Sequence, residues 1–219
     1  MDTTIFLITM ALCAVALFLT MAPSKIVHKH PADKPVSHVF IDLETLGTAT
    51  DSAILVIAAY AVDGWGNKIN SDCWHINPDS ARAFGSSDPA TEQWWSEQSD
   101  FARAQAFTKG PRVELPEALR ALAGFLKSLE SRKARVYVWG NAPAFDCAIL
   151  RNAYKAAGVA VPWAFWQERD CRTVAWIGEW IGFDAKASTE FKGQRHVALD
   201  DARHQAKYTV RILNEIGGL

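Results

Sequence analysis

Cysteine is scarce in this sequence: Cys13, Cys73, Cys147 and Cys171 include no C-x-x-C pair. That spacing excludes a thiolate zinc site or a disulfide framework and fits reduced thiols. An excess of either charge is also missing. With 23 Lys and Arg against 24 Asp and Glu the formal net charge is -1, so a nucleic-acid partner would need a local basic patch rather than bulk steering. There is no internal repeat and no low-complexity tract. The 219 residues, 49% hydrophobic and 21% charged, suffice for one substantial core.

The N-terminus carries the one long uncharged run. Residues 5–22 (IFLITMALCAVALFLTMA) match the ~20 apolar residues that a bilayer core requires. A cleaved secretory signal is a poor description, because no basic residue precedes the run, Asp2 is acidic and Pro23 follows directly. Two readings stay open. The segment is a membrane anchor, with Lys25, Lys29 and Lys34 keeping the rest of the chain in the cytoplasm, or the start site is misassigned and translation begins at Met21. Residues 1–22 thus stand apart, 23–37 read as a proline-containing linker, and 38–219 as the folded domain.

Two carboxylates interrupt the first apolar stretch of that domain. Residues 39–43 read as a strand, and residues i and i+2 of a strand share a face, which sets Asp42 beside Glu44. Two buried acids so placed repel one another unless something positive lies between them. Residues 53–62 read as a central strand, apolar on both faces, and 68–77 as a third, antiparallel neighbour. Helices are expected over 91–107, 116–130, 143–157 and 197–216, with a fourth strand over 135–139. Strands followed by alternating helices and strands indicate an α/β domain with a mixed sheet.

Two of the helices carry inward acids. Asp146 shares its face with Ile149, Leu150 and Ala153, and sits just past a strand end, where α/β sheets place their sites. On the last helix Asp201 aligns with Gln205, Tyr208 and Ile212, whereas Asp200 aligns with Arg203, His204, Lys207 and Arg211. Asp201 therefore points inward and Asp200 outward. His196 lies at the helix start, where its ring can swing into a cleft. Four carboxylates from three elements, without thiolates, select hard cations such as Mg2+ or Mn2+. A pair of such ions is the usual apparatus for displacement at a phosphodiester.

The set Asp42-x-Glu44, Asp146 and His196-x-x-x-x-Asp201 resembles the DEDDh branch of the RNase H-like 3′-to-5′ exonucleases. The tyrosine branch would need Tyr where Val197 stands. The stretches Trp139-Gly-Asn-Ala-Pro-Ala-Phe-Asp146, Arg169-Asp-x-Arg-Thr173 and Thr91-x-x-Trp94-Trp95 narrow the likeness to the phage-type exonucleases (DexA and exonuclease VIII-like) and related bacterial exoribonucleases. The likeness spans residues 39–213. It implies an RNase H-like mixed five-stranded sheet flanked by helices, and removal of nucleoside monophosphates from the 3′ end of single-stranded RNA or DNA.

The resemblance also implies roles. Asp42, Glu44 and Asp201 would hold one divalent ion, and Asp42 with Asp146 a second. His196 would be the general base, since histidines in general titrate near neutral pH. Thr45, Leu46 and Gly47 would contact the terminal nucleotide. Apart from the resemblance, Asn141 and Phe145 would orient Asp146 or stack a base, and Arg169, Arg172, Lys192 and Arg195 would either meet phosphates or form a solvated face with the interleaved Glu168, Asp170 and Glu190. Trp94, Trp95 and Trp139 read as core. A non-catalytic relic of the fold would be expected to lack an acid or the histidine, and all five are present. A metal-dependent endonuclease is disfavoured by the His196-to-Asp201 spacing.

Overall fold

The computed structural model describes residues 36–108, 110–130 and 135–217. The apolar segment, most of the expected linker and the two readings of the N-terminus lie outside these residues. No helix among the described residues is long and apolar enough to cross a membrane.

The strands are β1 (Val36–Thr45), β2 (Ile54–Asp63), β3 (Lys68–His75), β4 (Arg135–Gly140) and β5 (Glu168–Asp170). They form one sheet in the order β3-β2-β1-β4-β5, antiparallel for the first three and parallel from β1 through β4 to β5. This is the mixed five-stranded sheet expected. β1 begins at Val36, inside the stretch read as linker. β5 has only three residues, too few to show a strand period in the sequence.

The helices are α1 (Pro78–Phe84), α2 (Pro89–Ser96), α3 (Asp100–Phe107), α4 (Leu115–Glu130), α5 (Asp146–Ala156), α6 (Cys171–Trp180), the single turn α7 (Ala185–Ser188) and α8 (Ala198–Gly217). The single helix expected over 91–107 is two. Ser99 caps α3 by accepting the Ala102 N–H at 3.2 Å, which gives the chain an alternative to continuing α2. α1 was not expected at all; Asn77 caps it and Pro78 fills its first position, the pairing that starts a helix.

Alternation along β1 separates two cores. Val39, Ile41 and Leu43 join the larger one, with residues of α3, α4 and α5. Phe40 faces the other way and packs with Trp139, Cys171, Ala202, Ala206 and Tyr208 under α6 and α8. Asp42 and Glu44 have the parity of Phe40, so they extend the α8 face of the sheet. The register slips between Glu44 and Thr45, a bulge of the kind that re-aims side chains at sites. β4 and β5 end level at Gly140 and Asp170, β1 runs on past them to Thr45, and α5 starts beyond that edge.

Tyr154 ties α5 to α4. Its buried hydroxyl donates to the Leu119 carbonyl at 2.8 Å, and burial pushes its ionisation up. Tyr154→Phe is expected to cost about 1 kcal/mol, read as a denaturation midpoint shifted at unchanged slope.

Candidate active site

At the carboxyl edge of the sheet, single carboxylate oxygens of Asp42, Glu44 and Asp201 lie within 4.8 Å of one another. β1 supplies the first two and the first turn of α8 the third. They share a cavity of about 650 Å³ with Thr45, Gly47, Trp94, Asn141, Phe145, Arg195 and His196, a volume suited to a small ligand. Asp146, the first residue of α5, is buried at 3% exposure. Its Oδ2 accepts the Ala142 N–H at 3.5 Å, and its charge acts directly on Asp42. Gly140 makes the room: a Cβ there would stand 2.9 Å from Asp146 Oδ2.

The electrostatics follow from crowding. Burial, then the charges of Asp146, Glu44 and Asp201, hold the Asp42 carboxyl well above the usual range, against a hydrogen bond from Gln205. Burial, then Asp201 and Asp146, push Glu44 to about 8. Asp146 is raised by burial to about 7, against backbone N–H groups of Ala142 and Asn141. Asp201 is raised by burial, against the backbone and charge of His196. The donor set suits hard divalent cations: it is all carboxylate, and buried Glu44 Oε1 has no hydrogen-bond partner.

His196 opens the turn into α8 with φ 62°, a left-handed conformation that histidine tolerates better than most residues. Gly193, at φ 114°, precedes it, and a Cβ there would run into Asp200. Asp200 fastens this turn. It accepts the Gln194 N–H at 2.9 Å and pairs with Arg203 at 2.7 Å. Asp200 thus points away from the acids, as helical phase implied, while Asp201 Oδ2 accepts the Val197 N–H at 3.2 Å inside the site.

The other expected contacts divide. Thr45, Gly47, Asn141, Phe145 and Arg195 line the cavity. Leu46 does not: its side chain is fully buried in the core, its N–H donates to Ala53 and its carbonyl accepts from Asp88. The bulge before it turns it inward. Arg172 is exposed at the start of α6 and does not line the cavity. Arg169 lies over the Tyr137 ring at 4.2 Å and donates to the Trp166 and Glu168 carbonyls. Lys192 pairs with Glu190 at 3.7 Å.

Two site residues escaped sequence reasoning. Gln205 Nε2 donates to Asp42 Oδ1 at 2.7 Å; its signal was its place one turn beyond Asp201 on the same face. Trp94, read as core, is 38% exposed and sets its ring edge-to-face with His196, centroids 4.9 Å apart. Trp95 is core, as expected, and its Nε1 fixes the Thr45 carbonyl at 2.9 Å. Trp139 is core too, donating to His38 Nδ1 at 3.0 Å.

A family model described as the 3′-5′ exoribonuclease Rv2179c-like domain matches residues 37–213. No curated protein matches. Among solved structures, the chain is similar to the nuclease domain of 3′hExo, a DEDDh family member bound to rAMP: identity is 15% and the TM-score 0.53, over 82% of this chain and 92% of that one. It is similar to the zinc-bound form of E. coli exonuclease I with single-stranded DNA (17%, 0.54, 78% and 39%). A third similar structure is cell-death related nuclease 4 (12%, 0.57, 82% and 64%). At these identities the likeness is one of fold, and the chain spans well under half of exonuclease I.

All four acids have folded-state values above their unfolded ones, so without metal they retain protons that the unfolded chain releases. Their contribution is therefore undiminished below the ordinary carboxylate range and is lost as pH rises towards 7 and 8, where Asp146 and Glu44 ionise. In chelator, the melting temperature is expected to fall from about pH 5 to 8, and Asp201→Asn to flatten that slope. A metal-free melting temperature that rises over this interval would contradict the crowding.

Proposed function

The chain belongs to the Rv2179c-like 3′-5′ exoribonuclease family, and we propose that it removes nucleoside monophosphates from the 3′ end of single-stranded RNA with two divalent cations, Mg2+ or Mn2+. One observation carries this reading: three carboxylate oxygens from β1 and α8 within 4.8 Å, in the cavity that His196 borders. RNA is favoured over DNA by the family's description. The 3′ end as point of attack likewise comes from the family.

Asp42, Glu44 and Asp201 would hold one cation, and Asp42 with Asp146, directly or through water, the other. Bound there, the cations supply Lewis acidity, activating water and offsetting charge on the phosphoryl and leaving oxygens. His196 takes the proton of the attacking water and returns it to solvent, as its exposed position allows. The Trp94 ring limits the orientations of the imidazole. Gln205 holds Asp42 in one rotamer. Thr45, Gly47 and Phe145 would bound the terminal nucleotide, and Arg195 would meet a phosphate on the open side. Asn141, braced by the Tyr208 hydroxyl at 3.2 Å, would orient the loop that carries Asp146.

The deciding experiment is a time course on 5′-labelled single-stranded RNA and DNA with Mg2+, with Mn2+ and with chelator. A ladder shortening from the 3′ end, faster on RNA and absent in chelator, is expected. Cleavage of a circular substrate would make the protein an endonuclease and defeat the proposal.

Substitutions test the roles separately. His196→Ala is expected to lower turnover about 10²–10⁴-fold while calorimetric metal binding stays within a few-fold; lost metal binding would make His196 a ligand. Asp201→Asn is expected to abolish turnover. Asp200→Asn keeps an acceptor for the Gln194 N–H and is expected to retain turnover within a few-fold. If instead Asp200→Asn is inactive and Asp201→Asn active, the assignment of the fourth acid is wrong.

A further inference from the structure

A second cavity, of about 730 Å³, shares Asn141, Arg195, Asp201 and Gln205 with the catalytic one, and Glu179 of α6 stands in its wall. The two form one open trough leading from the acids to α6. At 100° per residue, Arg172, Trp176, Glu179 and Trp180 fall within about 100° of the α6 surface, opposite Cys171, Val174 and Gly178, which are buried. Trp176 and Trp180 are 60% and 78% exposed. Their rings are stacked, 6.0 Å between centroids and 6° from parallel. The two rings do not line the trough themselves; they stand open to water on the helix that brings Glu179 to its wall.

We propose that Trp176 and Trp180 form a stacking platform for bases of single-stranded RNA lying 5′ of the scissile bond, reached along this trough. The inference rests on the exonuclease reading above and adds a second binding region to it. Every base has a π-face, so such a platform grips without regard to sequence, as a processive or length-selective exonuclease requires. The charges agree. Arg172 flanks the rings on the same face, and Arg195 and Lys186 line the trough. Of its acids, Glu190 is paired with Lys192 and Asp184 accepts the Ala187 N–H as a cap. With Glu179 and Asp201 also in its wall, the trough carries no excess of positive charge, so stacking rather than phosphate contact would supply the grip. A second copy of the chain is a poorer fit, because Arg172 and Glu179 share the helix face with the rings, and exposed Ile181 beside Trp180 adds too little to make a broad apolar patch.

The test compares a dinucleotide with a twelve-nucleotide RNA. In the intact protein KM is expected to be lower for the longer RNA. In Trp176→Ala/Trp180→Ala that advantage is expected to vanish, KM for the longer RNA rising about tenfold or more with kcat kept. Trp176→Phe/Trp180→Phe should restore part of it, because a phenyl ring still stacks. Trp65→Ala, another exposed tryptophan away from the trough, is the control that leaves both substrates unaffected. Fluorescence anisotropy of the labelled twelve-nucleotide RNA in chelator reads the platform without turnover. An inactive protein that still binds RNA through the two tryptophans would sink the exonuclease reading and leave the platform standing. Equal KM for both lengths in the intact protein would overturn the platform alone. So would a dimer in sedimentation that the double substitution dissociates while RNA affinity is unchanged.

Discussion

Mutual repulsion of four carboxylates at one edge of a sheet is the constraint on which the rest of the structure turns. Asp42 and Glu44 cannot move apart, since they occupy alternate positions of a central strand. Relief has to come from partners, and the fold supplies three kinds. Gln205 donates to Asp42. Backbone N–H groups of the loop after β4 turn towards Asp146. Asp146 and Asp201 also sit in the first turns of α5 and α8, where exposed N–H groups and the helix dipole favour negative charge by roughly 0.3–1 kcal/mol each. These offsets are small against burial, and the acids remain shifted upward.

The histidine is governed by the same edge in another way. Its left-handed backbone is sustained by Gly193 before it and by Asp200, which clasps Gln194 and Arg203. Of two adjacent aspartates, one thus shapes the turn and the other lines the site. Helix geometry forces this split, because a 100° step carries neighbouring side chains to different faces. Trp94 then bears on the ring from α2, so the imidazole is exposed yet bounded on one side.

The parts of this design that obey a period were legible in the sequence. Strand parity set Asp42 and Glu44 on one face, and the 3.6-residue repeat set Asp146 and Asp201 inward with Asp200 outward. What stayed hidden depends on contacts between elements. Burial of the Leu46 side chain was hidden because a bulge, invisible in composition, reverses the parity just after Glu44. The placement of Arg169 was hidden because a long side chain chooses among several partners, and here it lies over the Tyr137 ring. Trp94 and Trp95 look alike in sequence, but the 100° step between neighbours on a short helix points one at the histidine and the other into the core. The break at Ser99 was written in a serine-aspartate cap that apolar spacing alone overrode.

The acids join the two layers of the domain as well as lining a cleft. α5 packs with the larger core on one face of the sheet and α8 with the smaller core on the other. Their first turns each bring an acid whose charge acts on Glu44 at the end of β1. Without a cation these charges oppose one another across the edge of the sheet. With cations between them the same groups would attract, and the layers would be drawn together there. Binding would then stabilise the folded state by mass action and place the pull where the catalytic geometry has to be fixed. Rigidity of the site and cohesion of the fold would then be one interaction, and the raised carboxyls, held up first by burial and for Asp42 and Glu44 also by the neighbouring acids, mark its unliganded side.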